Sequence, residues 1–394
     1  MVSRERAVEQ AAELMMCFAE RTGLDAEGPK ERYLWTDAFA VCNFLSLAQA
    51  TDDERFTELA LRLVEQVHRV LGRHRAEDSR TGWISGLGEE EGKSHPTRGG
   101  LRIGKKLPER SPGEPFDERL EWDRDGQYFH YLTKWMHALD QLSRATGQSR
   151  FNLWARELAE AAHAGFSYEV PASGRRMVWK MSIDLSRALV PSMGQHDPLD
   201  GFITCIELQV TASMLSNTPT GPDLKLAVSD FAGLIESRDW ATADPLGLGG
   251  LLMDAARVAQ LTKHEAFADG DLLESLLTAA RDGLSVYSRL AELQRPASER
   301  LAFREIGLAI GLAGLGLIGQ GVQPEDGSGS RQLHPLIAEL KPYLALEPAI
   351  QSFWLDACHR EERAWSEHRD INDVMLATSL VPEDSLILLP DRVE

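Results

Sequence analysis

The sequence predicts an all-α fold of about twelve helices arranged as six hairpins. Three observations lead there. Strand-like alternation of β-branched residues is almost absent, while helical periodicity recurs along the chain. Amphipathic, charged segments alternate with more apolar ones. A turn pattern also repeats: Ala50-Thr51 followed by Phe56, Ala60 and Leu63 returns as Ala145-Thr146 followed by Phe151, Ala155 and Leu158, with a fainter echo at Leu261-Thr262 and Phe267.

The amphipathic helices are expected at 4–21, 54–72, 151–166, 223–238, 271–291 and 335–359. The apolar ones are expected at 34–50, 127–145, 199–216, 247–262, 301–320 and 371–381. A helix with one apolar stripe covers a core, and a helix apolar all round lies inside one. The alternation therefore implies an outer and an inner ring, an (α/α)6 toroid forming one domain over residues 1–394. An open α-solenoid is the alternative, and it would need a more regular repeat length.

In a toroid the loops before the inner helices converge on one cavity. The longest runs over about 75–124 and the second over about 167–199. Loops of such length in a compact domain are functional or disordered. The polar stretch Gln323 to Gln332 reads as a flexible surface turn.

Composition bounds the function. The formal net charge of −19 argues against general nucleic-acid or anionic-membrane binding. Cys17, Cys42, Cys205 and Cys358 form no C-x-x-C pair and lie in apolar helical patterns, which reads as buried free thiols. Met1 to Arg6 has no apolar signal core, and the run Ile306 to Ile318 is short for a bilayer span and rich in glycine. A cytoplasmic protein with no nucleic-acid or membrane partner is the expectation. Gly314-Leu315-Gly316-Leu317-Ile318-Gly319 spells G-x-G-x-x-G without a preceding strand, so Gly307, Gly311, Gly314 and Gly316 are read as close helix contacts rather than a cofactor loop. Nothing in the sequence calls for a cofactor or a metal.

Aromatics and acids gather at the inner-helix starts: Trp35 and Asp37; Trp122, Asp123, Asp125, Tyr128 and His130; His196, Asp197 and Asp200; Arg304 and Glu305; His368, Asp370 and Asp373. Flat aromatic faces stack on sugar rings, and acids bind hydroxyls or move protons. Acids also favour helix N-termini, and Asp37 can be read that way too. In the long loops, Trp83, Trp179 and Lys180 are candidate ligand contacts. The basic stretch from Lys93 to Arg110, with His95, Arg98, Arg102, Lys105 and Lys106, reads either as a lid for an anion or as a solvated loop balancing Glu89 to Glu91.

Trp35-Thr36-Asp37-Ala38-Phe39 with the Ala50 to Phe56 turn resembles the Trp-x-Asp-x-(Leu/Phe) inner-helix segment of six-hairpin glycosidases, with most likeness to unsaturated glucuronyl and rhamnogalacturonyl hydrolases. The resemblance covers about 25 residues, and Val41-Cys42-Asn43-Phe44 departs from the Met-x-x-Pro continuation. It implies a hydrolase acting on a small acidic saccharide, in which Asp37 protonates a vinyl ether and water adds to the oxocarbenium ion. A second acid, Asp123 or Asp125, would assist. Trp35, Trp83, Trp122, Tyr128, Trp179, Lys180, Arg102 and His368 would bind substrate, with His130 and His196 as further acid/base candidates. The same toroid serves N-acylglucosamine 2-epimerases, where His196 and His368 would act as a pair. A silent toroid that binds a glycan or a protein is the third reading.

Overall fold

The computed structural model describes residues 3–24, 31–171, 174–215, 220–236, 238–264, 270–321 and 327–388. The fold is all-α: 68% helix and 5% strand, with about twelve long helices. Packing groups the chain into two compact units, one of Ala19–Leu45 and Glu54–Glu236, the other of Met1–Phe18, Ser46–Asp53 and Ser237–Glu394.

Two N-terminal helices, α1 (Arg4–Arg21) and α2 (Leu34–Thr51), each contribute residues to both units. In α1, Leu14, Met15, Phe18 and Ala19 are buried, which leaves Cys17 on the solvent face. The expectation of four buried thiols is corrected there and at Cys358, also exposed; Cys42 and Cys205 are buried. α2 is buried on all sides from Leu34 to Leu47, as its composition requires.

In the first unit, α3 (Glu54–Leu71) buries Phe56, Leu59, Ala60, Leu63, Val64, Val67 and Leu71, one stripe at helical spacing. Two short helices, α4 (Glu89–Ser94) and α5 (Glu118–Asp123), and strand β1 (Gln127–Tyr128) lead into α6 (Phe129–Thr146) and α7 (Arg150–Phe166). Four strands follow, β2 (Ser167–Val170), β3 (Gly174–Met177), β4 (Lys180–Met181) and β5 (Ala188–Val190), and then α8 (Asp197–Met214) and α9 (Lys225–Ile235). The apolar helices α6 and α8 pack on each other, and α7 and α9 cover them.

The repeated turn has a physical basis. Thr51 Oγ1 donates to Leu47 O at 2.7 Å and Thr146 Oγ1 to Leu142 O at 2.6 Å. The next residue is left-handed in both, Asp52 at φ 55° and Gly147 at φ 68°. That conformation ends each helix and turns the chain. Phe56 and Phe151 then start the next buried stripe. Phe267, in the fainter third copy, lies outside the described residues.

The long segments before α6 and α8 are not structureless. β1, β4 and β5 form a three-stranded antiparallel sheet in the order β1-β4-β5, and β2 pairs with β3. Leu101 and Ile103 are fully buried core residues. Gln127 staples the two segments: its Oε1 accepts from Leu101 N at 2.9 Å, while its Nε2 donates to Gly99 O at 3.0 Å and to Ile183 O at 2.6 Å. A Cβ on Gly100, at φ +77°, would lie 2.0 Å from Gln127 Oε1, so only glycine fits this approach.

The second unit contains α10 (Pro245–Lys263), α11 (Gly270–Arg289), α12 (Ala302–Gly321), α13 (Gly327–Leu340), α14 (Leu346–Leu355), α15 (Ala357–Arg360), α16 (Arg363–Ser366), α17 (Arg369–Leu380) and α18 (Glu383–Leu386). α12 packs between α10 and α17, while α11 and α14 flank them. A Cβ on Gly249 would meet Gly307 O at 2.1 Å, and one on Gly311 would meet Gly249 O at 2.5 Å. Glycine there sets the distance between α10 and α12, as the sequence suggested for Gly307 and Gly311. Gly316 has open space instead. The stretch Ala302–Gln320 is long and apolar enough, by composition, to cross a membrane, beyond what the shorter run implied; 67% of it is buried in the fold.

One expected helix, 335–359, is broken into α13, a 3-10 turn at Lys341–Ala345, α14 and α15. Pro342 and Pro348 lack amide donors and fall at these joints. The expected surface turn is corrected in part: residues from Gly327 onward belong to α13, and 322–326 lie outside the described residues.

Candidate active site

The first unit brings one run of aromatic rings together. β1 ends in Tyr128, the first turn of α6 carries His130 and Tyr131, the start of α2 carries Trp35, and Trp179 precedes β4. Ring centroids lie 5.1 Å apart for Trp122–Trp179, 4.9 Å for Trp179–Tyr128, 5.2 Å for Tyr128–Tyr131 and 6.4 Å for Tyr131–Trp35. Tyr33 joins through its hydroxyl, 2.6 Å from that of Tyr131. Trp122 is half exposed and Trp179 half-buried, while Trp35 and Tyr128 are buried. The exposed end of the ladder offers a flat apolar face.

His130 lies on this ladder. Its ring is parallel to Trp179 (6.0 Å, 5°) and close to parallel to Tyr128 (5.5 Å, 27°). Nδ1 is buried without a hydrogen-bond partner among the described residues, and Asp197 Oδ1 is 3.9 Å away. The side chain keeps 30% of its exposure, through atoms other than the buried Nδ1. Burial pushes its pKa down to about 4, so the imidazole is neutral near pH 7. One turn further along α6, Lys134 Nζ donates to both oxygens of Asp200 at 2.9 and 3.0 Å, and Thr133 Oγ1 donates to Asp200 Oδ2 at 2.6 Å.

The other sequence candidates divide. Asp37 is 2% exposed; its Oδ2 accepts from Tyr33 N at 3.1 Å, and Oδ1 is 3.6 Å from the buried Arg32 Nη1. Asp125 is fully buried, accepting from Arg102 at 2.5 Å, Arg75 at 3.2 Å, and the amides of Gly104 and Gly126. Arg102 also donates to Arg73 O and Val70 O, so the pair anchors the long segment. Lys180 is fully buried and donates to Glu121 Oε1, Glu121 O and Arg124 O while lying over Tyr128. Trp83 is buried under Arg73 and against Gly92, apart from the ladder contacts. Asp123 is exposed. His196 is half-buried at the N-cap of α8. His368, exposed at the N-cap of α17 against Phe303, belongs to the second unit.

The basic stretch is mostly neutralised. Lys93 pairs with Glu90, Arg73 with Glu89, His95 and Arg98 with Glu157, and Arg110 with Glu121. Lys105 makes no ion pair among the described residues, and its Nζ lies 5.3 Å over the Tyr33 ring, at the edge of the ladder. The long segments also enclose a pocket of about 440 Å³, where Arg80 is paired with Asp78, Glu109 and Asp184. Among the described residues no three His, Cys, Asp or Glu side chains converge as metal ligands would.

Sequence reasoning passed over Tyr131 and Lys134. Their signal was the spacing of Tyr131 and Lys134, three residues apart on one face of α6, just after Tyr128 at the end of β1.

No protein-family model, curated protein sequence or solved structure matches this chain.

Proposed function

We propose that the chain is a carbohydrate-active enzyme of the glycosidase kind, acting on a small acidic saccharide at the aromatic ladder. One observation carries this reading: the imidazole of His130 lies parallel to Trp179 at 6.0 Å, and its Nδ1, without a hydrogen-bond partner among the described residues, is 3.9 Å from Asp197 Oδ1. A sugar ring stacks on the exposed face of Trp122, which stands edge to face with Trp179. Lys105, held over Tyr33 without a carboxylate of its own among the described residues, pairs with the acidic group of the sugar. In the reaction implied by the resemblance, a proton is delivered to the double bond and water adds to the oxocarbenium ion. His130 suits the second half, because a neutral imidazole accepts the proton that water gives up as its oxygen bonds to carbon. Asp37 is the donor that the resemblance names.

The test is a screen of unsaturated and saturated acidic disaccharides. On the substrate that turns over, His130→Gln lowers kcat by about 10²-fold or more, the usual scale for an acid/base group. Lys105→Ala raises KM and leaves kcat nearly intact. No turnover across the panel, or full activity in His130→Gln, refutes the reading. A sugar epimerase is the second reading, favoured by the same imidazole, which would take a proton from carbon. Deuterium from solvent appearing in unhydrolysed sugar decides for it.

A further inference from the structure

The pocket of about 440 Å³ in the first unit is lined from 75–80, 108–112 and 182–187, and its charges are separated into two ends. At one end Arg80 is shared by three carboxylates from three stretches of chain, Asp78 at 2.7 Å, Glu109 at 2.5 Å and Asp184 at 2.9 Å. Three carboxylates against one guanidinium leave two negative charges in excess there. Each acid keeps accessible surface, 16%, 13% and 35% of its side chain in that order. They also stay ionised. The Arg80 hydrogen bond outweighs burial and holds Asp78 down to about 2. Burial opposes the charge on Asp184, but the hydroxyls of Ser186 and Ser182 and the charge of Arg80 hold it down to about 2 as well.

The positive end is Arg187. It lines the pocket, is half-buried, and donates through Nη2 to Arg110 O, and it makes no ion pair among the described residues. The other two arginines of the lining are paired, Arg75 with Glu77 and Asp125, and Arg110 with Glu121. Arg187 and Asp184 share one turn, in which Ser182 N donates to Arg187 O at 2.8 Å and Arg187 N donates to Ser182 Oγ at 3.0 Å. The turn therefore fixes the spacing of the two ends.

We propose that this pocket binds a small zwitterion of the amino-acid kind, with its ammonium against Asp78, Glu109 and Asp184 and its carboxylate on Arg187. Complementary charge at both ends decides the class. A plain cation leaves Arg187 without a partner, and a plain anion meets the excess of carboxylates. The planar guanidinium of Arg187 suits a carboxylate, which it can meet with two parallel N–H donors. At roughly 30 Å³ for each water-sized group, the pocket admits about fifteen non-hydrogen atoms, enough for an amino acid of ordinary size.

Saturation-transfer NMR titration of the full chain at low ionic strength tests this with three zwitterions of increasing charge separation: glycine, 4-aminobutanoate and 6-aminohexanoate. Each is compared with the amine and the carboxylate of the same chain length. At least one zwitterion binds saturably, and its two singly charged controls bind at least about tenfold more weakly. Arg187→Gln removes the positive end. It weakens the best zwitterion by about tenfold and leaves the matching amine unchanged, a split that damage to the fold would not give. Asp184→Asn keeps the oxygen that Ser182 and Ser186 bond and removes the charge, so it weakens the zwitterion and the amine together. Melting curves monitor the fold of both variants. The proposal is overturned by absence of saturable zwitterion binding, by a singly charged control that binds as tightly, or by wild-type zwitterion affinity in either variant. The assay needs no saccharide, so its outcome is independent of the function proposed for the aromatic ladder.

Discussion

Single residues decide how far the sequence could be read. Asp37 looked catalytic because an acid one turn inside an apolar helix needs a reason. The fold supplies a structural one: the amide of Tyr33 and the buried guanidinium of Arg32. The pairing of Arg32 with Asp37 was not legible in the sequence, because it depends on where the fold holds the guanidinium, against Glu31 O at 2.9 Å and Thr22 O, ten residues away, at 2.7 Å. The consequence is a sharp test. Asp37→Asn leaves a buried cation without its counter-charge and costs about 3 kcal/mol in denaturant unfolding. If Asp37 is also the proton donor, turnover falls by about 10²-fold in the protein that remains folded. Loss of stability with activity retained assigns Asp37 to structure; unchanged stability removes the ion-pair account. Gln127 shows the opposite limit. Nothing marks it in the sequence, since a glutamine that staples two segments by three hydrogen bonds looks like any other glutamine.

At the scale of elements, periodicity located helices well because it reports directly which face is buried. The 4–21 helix is found as Arg4–Arg21, and 34–50 as Leu34–Thr51. It failed where local backbone chemistry overrides the stripe, at the prolines that break 335–359, and where short strands pair across long sequence separations, as β1 does with β4. The glycines of α10 and α12 are the instructive intermediate case. Their composition announced close packing, but only geometry separates those that need it. Gly249→Ala and Gly311→Ala each drive a methyl into backbone, which cannot yield as a flexible side chain would, and should lower stability by about 2 kcal/mol or more. Gly316→Ala meets nothing within 4 Å and gains helix propensity, so it should stabilise by up to about 1 kcal/mol. Thermal melts of the three variants check the contrast. Equal shifts in all three would mean that the approach of α10 to α12 is not set by these contacts.

For the molecule as a whole, pH is the variable that adds up many small environments, and His68, His130 and Asp140 of the first unit weigh most between pH 7 and pH 5. His68 Nε2 accepts from Trp135 Nε1 at 3.1 Å, and burial pushes its pKa down to about 3. His130 is pushed down to about 4 by the same cause. Asp140 moves the other way, to about 6, because burial and then nearby Glu207 outweigh Arg144. A histidine with a depressed folded pKa contributes stability above its unfolded value near 6.5, and that stability is lost as pH falls below it, because only the unfolded chain takes up the proton. An aspartate with a raised folded pKa behaves oppositely: its contribution is whole below about 3.8 and is lost as pH rises through about 6. Between pH 7 and pH 5, acidification therefore weakens the fold through His68 and His130, with His74 shifted in the same direction by burial, and strengthens it through Asp140. At about 1.4 kcal/mol per proton per pH unit, the histidines win, and the net loss is about 2 kcal/mol. Denaturant midpoints at the two pH values should show that drop. His68→Gln keeps an acceptor for Trp135 but cannot titrate, so it should remove about half of the histidine contribution and leave a nearly flat profile. A wild type more stable at pH 5 than at pH 7 would reverse the balance and make Asp140 the dominant group.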